Sequence, residues 1–113
     1  MKLQQILWLV LVGLALLVAF SGGAVAAEKA AGTEVTIDNF SFGPQSLNIK
    51  VGTQVTWVNH DDIPHTVVSE DLITFRSRVL DTDESWSFTF TKPGTYTYFC
   101  SIHPKMTAKV VVQ

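Results

Sequence analysis

The sequence predicts an all-β sandwich or barrel, and three observations predict it. Apolar residues recur at every second position in short runs such as Leu47-x-Ile49-x-Val51, Trp86-x-Phe88-x-Phe90 and Ala108-x-Val110-x-Val112. That is the period of a strand with one buried face. Turn-forming residues separate the runs, as in Gly43-Pro44, Gly52-Thr53 and Lys92-Pro93-Gly94-Thr95. Past the N-terminal segment, no stretch keeps a helical period.

The chain of 113 residues has room for one domain. Lys2, an apolar run over residues 6–20 and then Ser21-Gly22-Gly23-Ala24-Val25-Ala26-Ala27 have the order of a secretory signal peptide. We expect a signal over residues 1–27, cleaved after Ala26 or Ala27, a flexible lead-in over 28–34 and the domain over 35–113. A retained membrane anchor is the alternative, but the run is short of the about 20 apolar residues a span usually needs. Export places the mature protein in the periplasm, with membrane association only if the leader stays. Eight basic against ten acidic residues leave a net charge of −2, and loss of Lys2 with the leader takes it to −3. That balance argues against nucleic acid as a partner and against a basic membrane-surface protein. The lone Cys100 cannot form an internal disulfide. An exposed thiol would not survive export unoxidised, so Cys100 is either buried and inert or a ligand.

In chain order, Val35-x-Ile37 reads as a short strand, and Asn39-Phe40-Ser41-Phe42-Gly43-Pro44 as a turn offering two aromatics to the core. Residues 47–51 and 55–58 alternate on either side of Gly52-Thr53 and are expected to pair as antiparallel neighbours. Residues 59–64 form a polar loop ending in Pro64, and His65-Thr66-Val67-Val68 resumes an extended pattern. Residues 69–83 read as an irregular connection carrying Phe75, Val79 and Leu80 into the core. Trp86-x-Phe88-x-Phe90 and Tyr96-x-Tyr98-x-Cys100 then flank a proline-glycine turn as a hairpin. Cys100 lies at the strand end on the face of both tyrosines. Residues 108–112 form the closing strand.

The chemistry concentrates in Tyr98-Phe99-Cys100-Ser101-Ile102-His103-Pro104-Lys105-Met106. Cys100, His103 and Met106 follow at even three-residue spacing in a loop between strands. Thiolate, imidazole and thioether are donors that suit copper, whereas calcium or magnesium would want oxygens. A fourth donor must come from elsewhere, and His65 is the best candidate, since it follows Pro64 where a strand begins. Alone, each of these residues would be ordinary packing or a hydrogen-bonded histidine. Together, unlike soft donors at regular spacing are hard to assign to packing. Two histidines, a cysteine and a weak axial methionine form the ligand set of a blue-copper electron-transfer site. His60, within Asn59-His60-Asp61-Asp62, reads as solvated.

Residues 59–67, Asn59-His60-Asp61-Asp62-Ile63-Pro64-His65-Thr66-Val67, together with Lys92-Pro93-Gly94-Thr95-Tyr96-x-Tyr98-x-Cys100-x-x-His103-Pro104-x-Met106, resemble the cupredoxins, and most of all the amicyanin branch. The resemblance runs from about Val35 to Val112. The two residues between His103 and Met106 match that branch better than plastocyanins or pseudoazurins, which have a longer ligand loop. Ser101-Ile102 stands where amicyanins often place a proline before the histidine. The resemblance implies a small Greek-key β-sandwich holding one type 1 copper. It implies His65, Cys100 and His103 as strong ligands, Met106 as the axial one and Asn59 as a residue bracing the ligand loop. It also implies a monomeric electron carrier. Redox partners such as a c-type cytochrome or a periplasmic dehydrogenase would dock near His103, with Ile63, Pro64, Ile102 and Pro104 as an apolar rim.

A copper carrier or store would use similar donors on a more labile site. An enzyme with Cys100 as nucleophile and His65 or His103 as base would leave Met106 without a role. The acid pairs Asp61-Asp62 and Glu70-Asp71, the candidates to orient such a base, read as solvated faces. A copper oxidase or nitrite reductase would need a second histidine cluster, a dinuclear copper centre a second cysteine, and an inert adhesion module leaves the ligand loop unexplained.

Overall fold

Two sets of inward-facing side chains build one core. Val35, Ile37, Val55 and Trp57 come from one sheet, and Ile49, Tyr98, Ala108, Val110 and Val112 from another. The computed structural model describes residues 32–113. The expected signal and most of the lead-in lie outside them. β1 (Thr33–Asp38) begins two residues ahead of the expected domain start and is followed by β2 (Ser41–Gly43), β3 (Ser46–Ile49) and β4 (Gln54–Asn59). β5 (Val68–Ser69), β6 (Ser85–Thr89), β7 (Gly94–Phe99) and β8 (Thr107–Val112) complete the series. One four-stranded sheet has the order β2-β1-β4-β6, the other β3-β8-β7-β5. The all-β sandwich is therefore as expected.

Two expected strand pairings are not formed. Residues 47–51 and 55–58 are not antiparallel neighbours: β3 pairs parallel with β8, and β4 pairs parallel with β1 and antiparallel with β6. Likewise β6 and β7 are not a hairpin, because β6 borders β4 in one sheet and β7 lies between β8 and β5 in the other. The physical reason is the same in both places. Alternation defines which face is buried but not which edge is paired, and a short connection can cross between sheets as well as return along one. At the first crossing the Gly52 N–H donates to Phe90 O (2.6 Å) and the Phe90 N–H to Thr53 O (3.0 Å), so the two crossings stitch to each other. Gly52 has φ 89°, a conformation that glycine adopts without strain.

The core is aromatic. Trp57 packs against Phe75 (5.9 Å between ring centroids), Trp86 (5.6 Å) and Tyr98 (5.5 Å). Phe75 and Leu80 are buried as expected, but Val79 is 50% exposed. Its neighbour Leu80 takes the inward position, because both backbone groups of Leu80 are bonded to His65. Phe40 also departs from expectation, being 53% exposed while Phe42 fills the core. Asn39 and Phe40 are the central residues of a two-residue turn joining β1 to β2, with φ 48° and 56°. Such type I′ turns favour Asn-Gly. A bulky residue in the left-handed region costs roughly 1–2 kcal/mol.

Candidate metal centre

Three expected ligands sit on the loop joining β7 to β8, and the ladder between those strands fixes its ends. Register runs to Phe99↔Thr107, and one step beyond it the Cys100 N–H donates to Met106 O at 3.1 Å. The Met106 N–H donates in turn to His103 O at 2.9 Å, folding the intervening residues into a compact turn. Cys100 and Met106 are thereby buried, while His103 stays half-buried.

His65 comes from a segment 35 residues before Cys100 and is fully buried. Its backbone N–H donates to Leu80 O (3.0 Å) and its carbonyl accepts from the Leu80 N–H (2.8 Å). This single bridge replaces the expected longer strand, which survives only as β5. Asn59 satisfies every polar atom of its buried side chain here. Its Nδ2 donates to Ile63 O and Leu80 O, both at 2.9 Å, and its Oδ1 accepts from the Asp61 N–H at 2.9 Å. Asn59 thus braces the segment leading into His65 rather than the 100–106 loop.

The two arms converge. His65 Nδ1 lies 3.7 Å from Cys100 Sγ, and His103 Nδ1 lies 3.8 Å from it. These three donor atoms all lie within 4.8 Å of one another. Imidazole, thiolate and imidazole at that separation, with the Met106 thioether buried in the same cluster, fit a type 1 copper site.

The surrounding groups prepare those donors. Burial pushes the Cys100 thiol up, but the Thr66 N–H at 3.4 Å and the two imidazoles outweigh it and lower the thiol from 9.0 to about 6. Thr66 Oγ1 accepts from the Ser101 N–H and meets the Ser101 hydroxyl, each at 2.7 Å, tying the two arms together beside the sulfur.

Asp61, expected in a solvated run, is instead buried, and its Oδ2 lies 2.9 Å from His65 Nε2. Donation from Nε2–H to this carboxylate leaves the Nδ1 lone pair directed at the site. The same oxygen accepts from the Phe40 N–H at 3.0 Å. That bond first, and His65 second, hold the Asp61 carboxyl below its usual range. The signal for Asp61 was its place four residues before a candidate ligand, but a pair of acids in a loop ordinarily faces water. Its neighbour Asp62 is indeed exposed, as is His60, which stands 3.8 Å from Asp83 on the surface.

Around His103 the surface is apolar. Phe40, Ile102, His103, Pro104, Lys105 and Met106 line a shallow recess of about 450 Å³. Ile102 is 42% exposed and Pro64 and Pro104 are exposed, whereas Ile63 is half-buried.

A family model described as a cupredoxin-like domain matches residues 9–112. Amicyanin-alpha of Methylorubrum extorquens is 37% identical over 97 residues, covering 80% of this chain and 79% of that protein. Among solved structures, a purple cupredoxin from Nitrosopumilus maritimus superposes with a TM-score of 0.69 at 33% identity, over 72% of this chain and 99% of that one. A copper-containing nitrite reductase from Thermus scotoductus superposes with a TM-score of 0.72 at 36% identity, over 80% of this chain but 24% of the reductase.

Proposed function

The chain belongs to the cupredoxin family, and on that premise we propose that it is an exported one-electron carrier in which His65, Cys100, His103 and Met106 hold a single copper ion. The observation that carries this reading is the convergence of His65 Nδ1, Cys100 Sγ and His103 Nδ1 within 4.8 Å, at a place where Met106 closes the loop. Bound there, copper supplies a Cu(II)/Cu(I) couple that takes up or releases one electron.

The protein's part is to hold donors still and keep water out. Cys100 contributes a thiolate in a buried position, with its negative charge stabilised by the Thr66 N–H. His65 contributes a neutral imidazole whose tautomer Asp61 selects. Met106 would contribute a weakly bound thioether from the end of the loop. Ligands held by the β7–β8 ladder on one side and the His65–Leu80 bridge on the other would move little between oxidation states, so little reorganisation would oppose transfer.

His103 is the half-exposed member and shares an apolar recess with Phe40, Ile102 and Pro104. This favours electron exchange through the His103 edge with a redox protein such as a c-type cytochrome or a periplasmic dehydrogenase, the carrier acting as a monomer. Export to the periplasm is supported by Lys2, the apolar run over 6–20 and the small residues ending at Ala26-Ala27, read as a signal over 1–27 ahead of the domain. The likeness to amicyanin-alpha over 79% of that protein's length supports a carrier over an enzyme.

Loading with copper and oxidising tests the reading. An intense visible thiolate-to-copper band, bleached and restored by one electron, is expected. A colourless oxidised protein would overturn it. Dialysis against a Cu(I) chelator separates the second reading: a copper carrier or store loses its metal readily, an electron carrier retains it through redox cycles.

A further inference from the structure

Phe40 is unfavourable in each respect that local structure can judge. It occupies the second position of a type I′ turn, where φ 56° suits glycine, and it leaves 53% of a large apolar side chain in water. Strain of this kind persists where the surroundings over-determine it, and it gathers at functional sites. The surroundings here are the metal ligands. The Phe40 ring stands nearly perpendicular to that of His103, with centroids 5.1 Å apart at 86°, and to that of His65, 5.9 Å apart at 88°. Its N–H shares the Asp61 oxygen that receives His65 Nε2–H.

The two imidazoles differ in what else steadies them. His65 has Asp61 and complete burial. His103, on a surface loop, has the Cys100 thiol on one side and, on its ring, Phe40 and the tilted His65 ring at 5.0 Å. A perpendicular pair of aromatic rings is a favoured geometry and restricts ring rotation without using a ring nitrogen.

We propose that Phe40 is a positioning residue for His103: the strained turn, anchored through Asp61, holds an aromatic ring against the exposed ligand and fixes its orientation. The proposal rests on the copper reading for its consequence in electron transfer, but not for the contact itself. Phe40 also forms one wall of the apolar recess beside His103, so the ring that steadies the ligand is part of the surface a partner meets.

The test compares F40G, F40L and F40Y. F40G restores the residue the turn favours, so the metal-free protein is expected to unfold at an unchanged or higher temperature than the parent. In the same metal-free sample, the His103 ring-proton resonances are expected to lose their ring-current shift and broaden, with a smaller change at His65. F40L keeps apolar bulk and strain but loses the ring-current shift, and F40Y restores it. In copper-loaded protein, electron self-exchange is expected to slow severalfold in F40G and F40L and to recover in F40Y. A lower unfolding temperature in F40G with His103 resonances unmoved would overturn the proposal and make Phe40 a packing residue. The metal-free spectra read the contact whether or not the protein takes up copper. A protein that binds no copper, yet shows the His103 changes, therefore overturns the copper reading and leaves the positioning contact standing.

Discussion

His65 and His103 present the same atom, Nδ1, to the same sulfur at nearly the same distance, 3.7 and 3.8 Å, yet the protein holds them by opposite means. The His65 arm is buried and hydrogen-bonded throughout, with its backbone bridged to Leu80, its approach braced by Asn59 and its ring bonded to Asp61. The His103 arm is a loop between two paired strands, half-open to solvent and walled by Phe40, Ile102 and Pro104. The difference teaches how one site can be both rigid and reachable. Hydrogen bonds to buried groups fix one ligand, where a lost partner costs the full desolvation of what remains. Apolar and aromatic contacts fix the other, where the proposed redox partner would approach.

The largest effect comes from removing what the arms share. Cys100→Ala leaves both imidazoles without the thiolate, and the visible band of the oxidised copper protein is expected to vanish, as an optical spectrum would show. Asp61→Ala breaks the buried arm and also loosens the turn that carries Phe40. It strands His65 Nε2–H and the Phe40 N–H, so a loss of roughly 1–3 kcal/mol in denaturant unfolding is expected, with copper affinity in chelator competition falling about 10–100-fold.

A pH series on metal-free protein sharpens the comparison at the junction of the arms. The Cys100 thiol has its folded pKa depressed from 9.0 to about 6, so the folded state holds fewer protons than the unfolded one between those values. The stabilisation is complete above about pH 9 and is lost as pH falls through about 6. Stability measured by denaturant is therefore expected to rise across that window in the parent relative to Cys100→Ala. Thr66→Val removes the hydroxyl that links the arms through Ser101 but keeps the backbone donor to sulfur. A modest fall in reduction potential with the band retained is expected from voltammetry. The smallest effect at the metal belongs to the exposed arm: Ile102→Lys should leave spectrum and potential unchanged while slowing transfer to a protein partner in stopped-flow kinetics.

Much of the site was legible because its chemistry is local. Cys100, His103 and Met106 lie within one loop, and the flanking alternation of Tyr96, Tyr98 and Ala108, Val110, Val112 identifies that loop as a strand connection. Asp61 and Phe40 were not legible. An acid beside another acid, and an aromatic after Asn39, have ordinary readings as a wet loop and a core residue. What overrides those readings is each residue's position against His65 and His103, which no spacing encodes.

The sequence by itself determined the all-β class, the buried face of strands such as β1, β7 and β8, the donor types and so the metal chemistry they suit. These follow from side-chain character and period, properties of neighbouring residues. Only the tertiary structure decided which edges pair, that residues 47–49 and 54–59 belong to different sheets, and that His65 meets the loop 35 residues away. Pairing between distant segments depends on how two apolar faces share one core, and a chain can cross between sheets or turn back within one at similar local cost. For that reason the proposed ligands could be read from the chain, while the carboxylate and the aromatic ring beside them appeared only once it was folded.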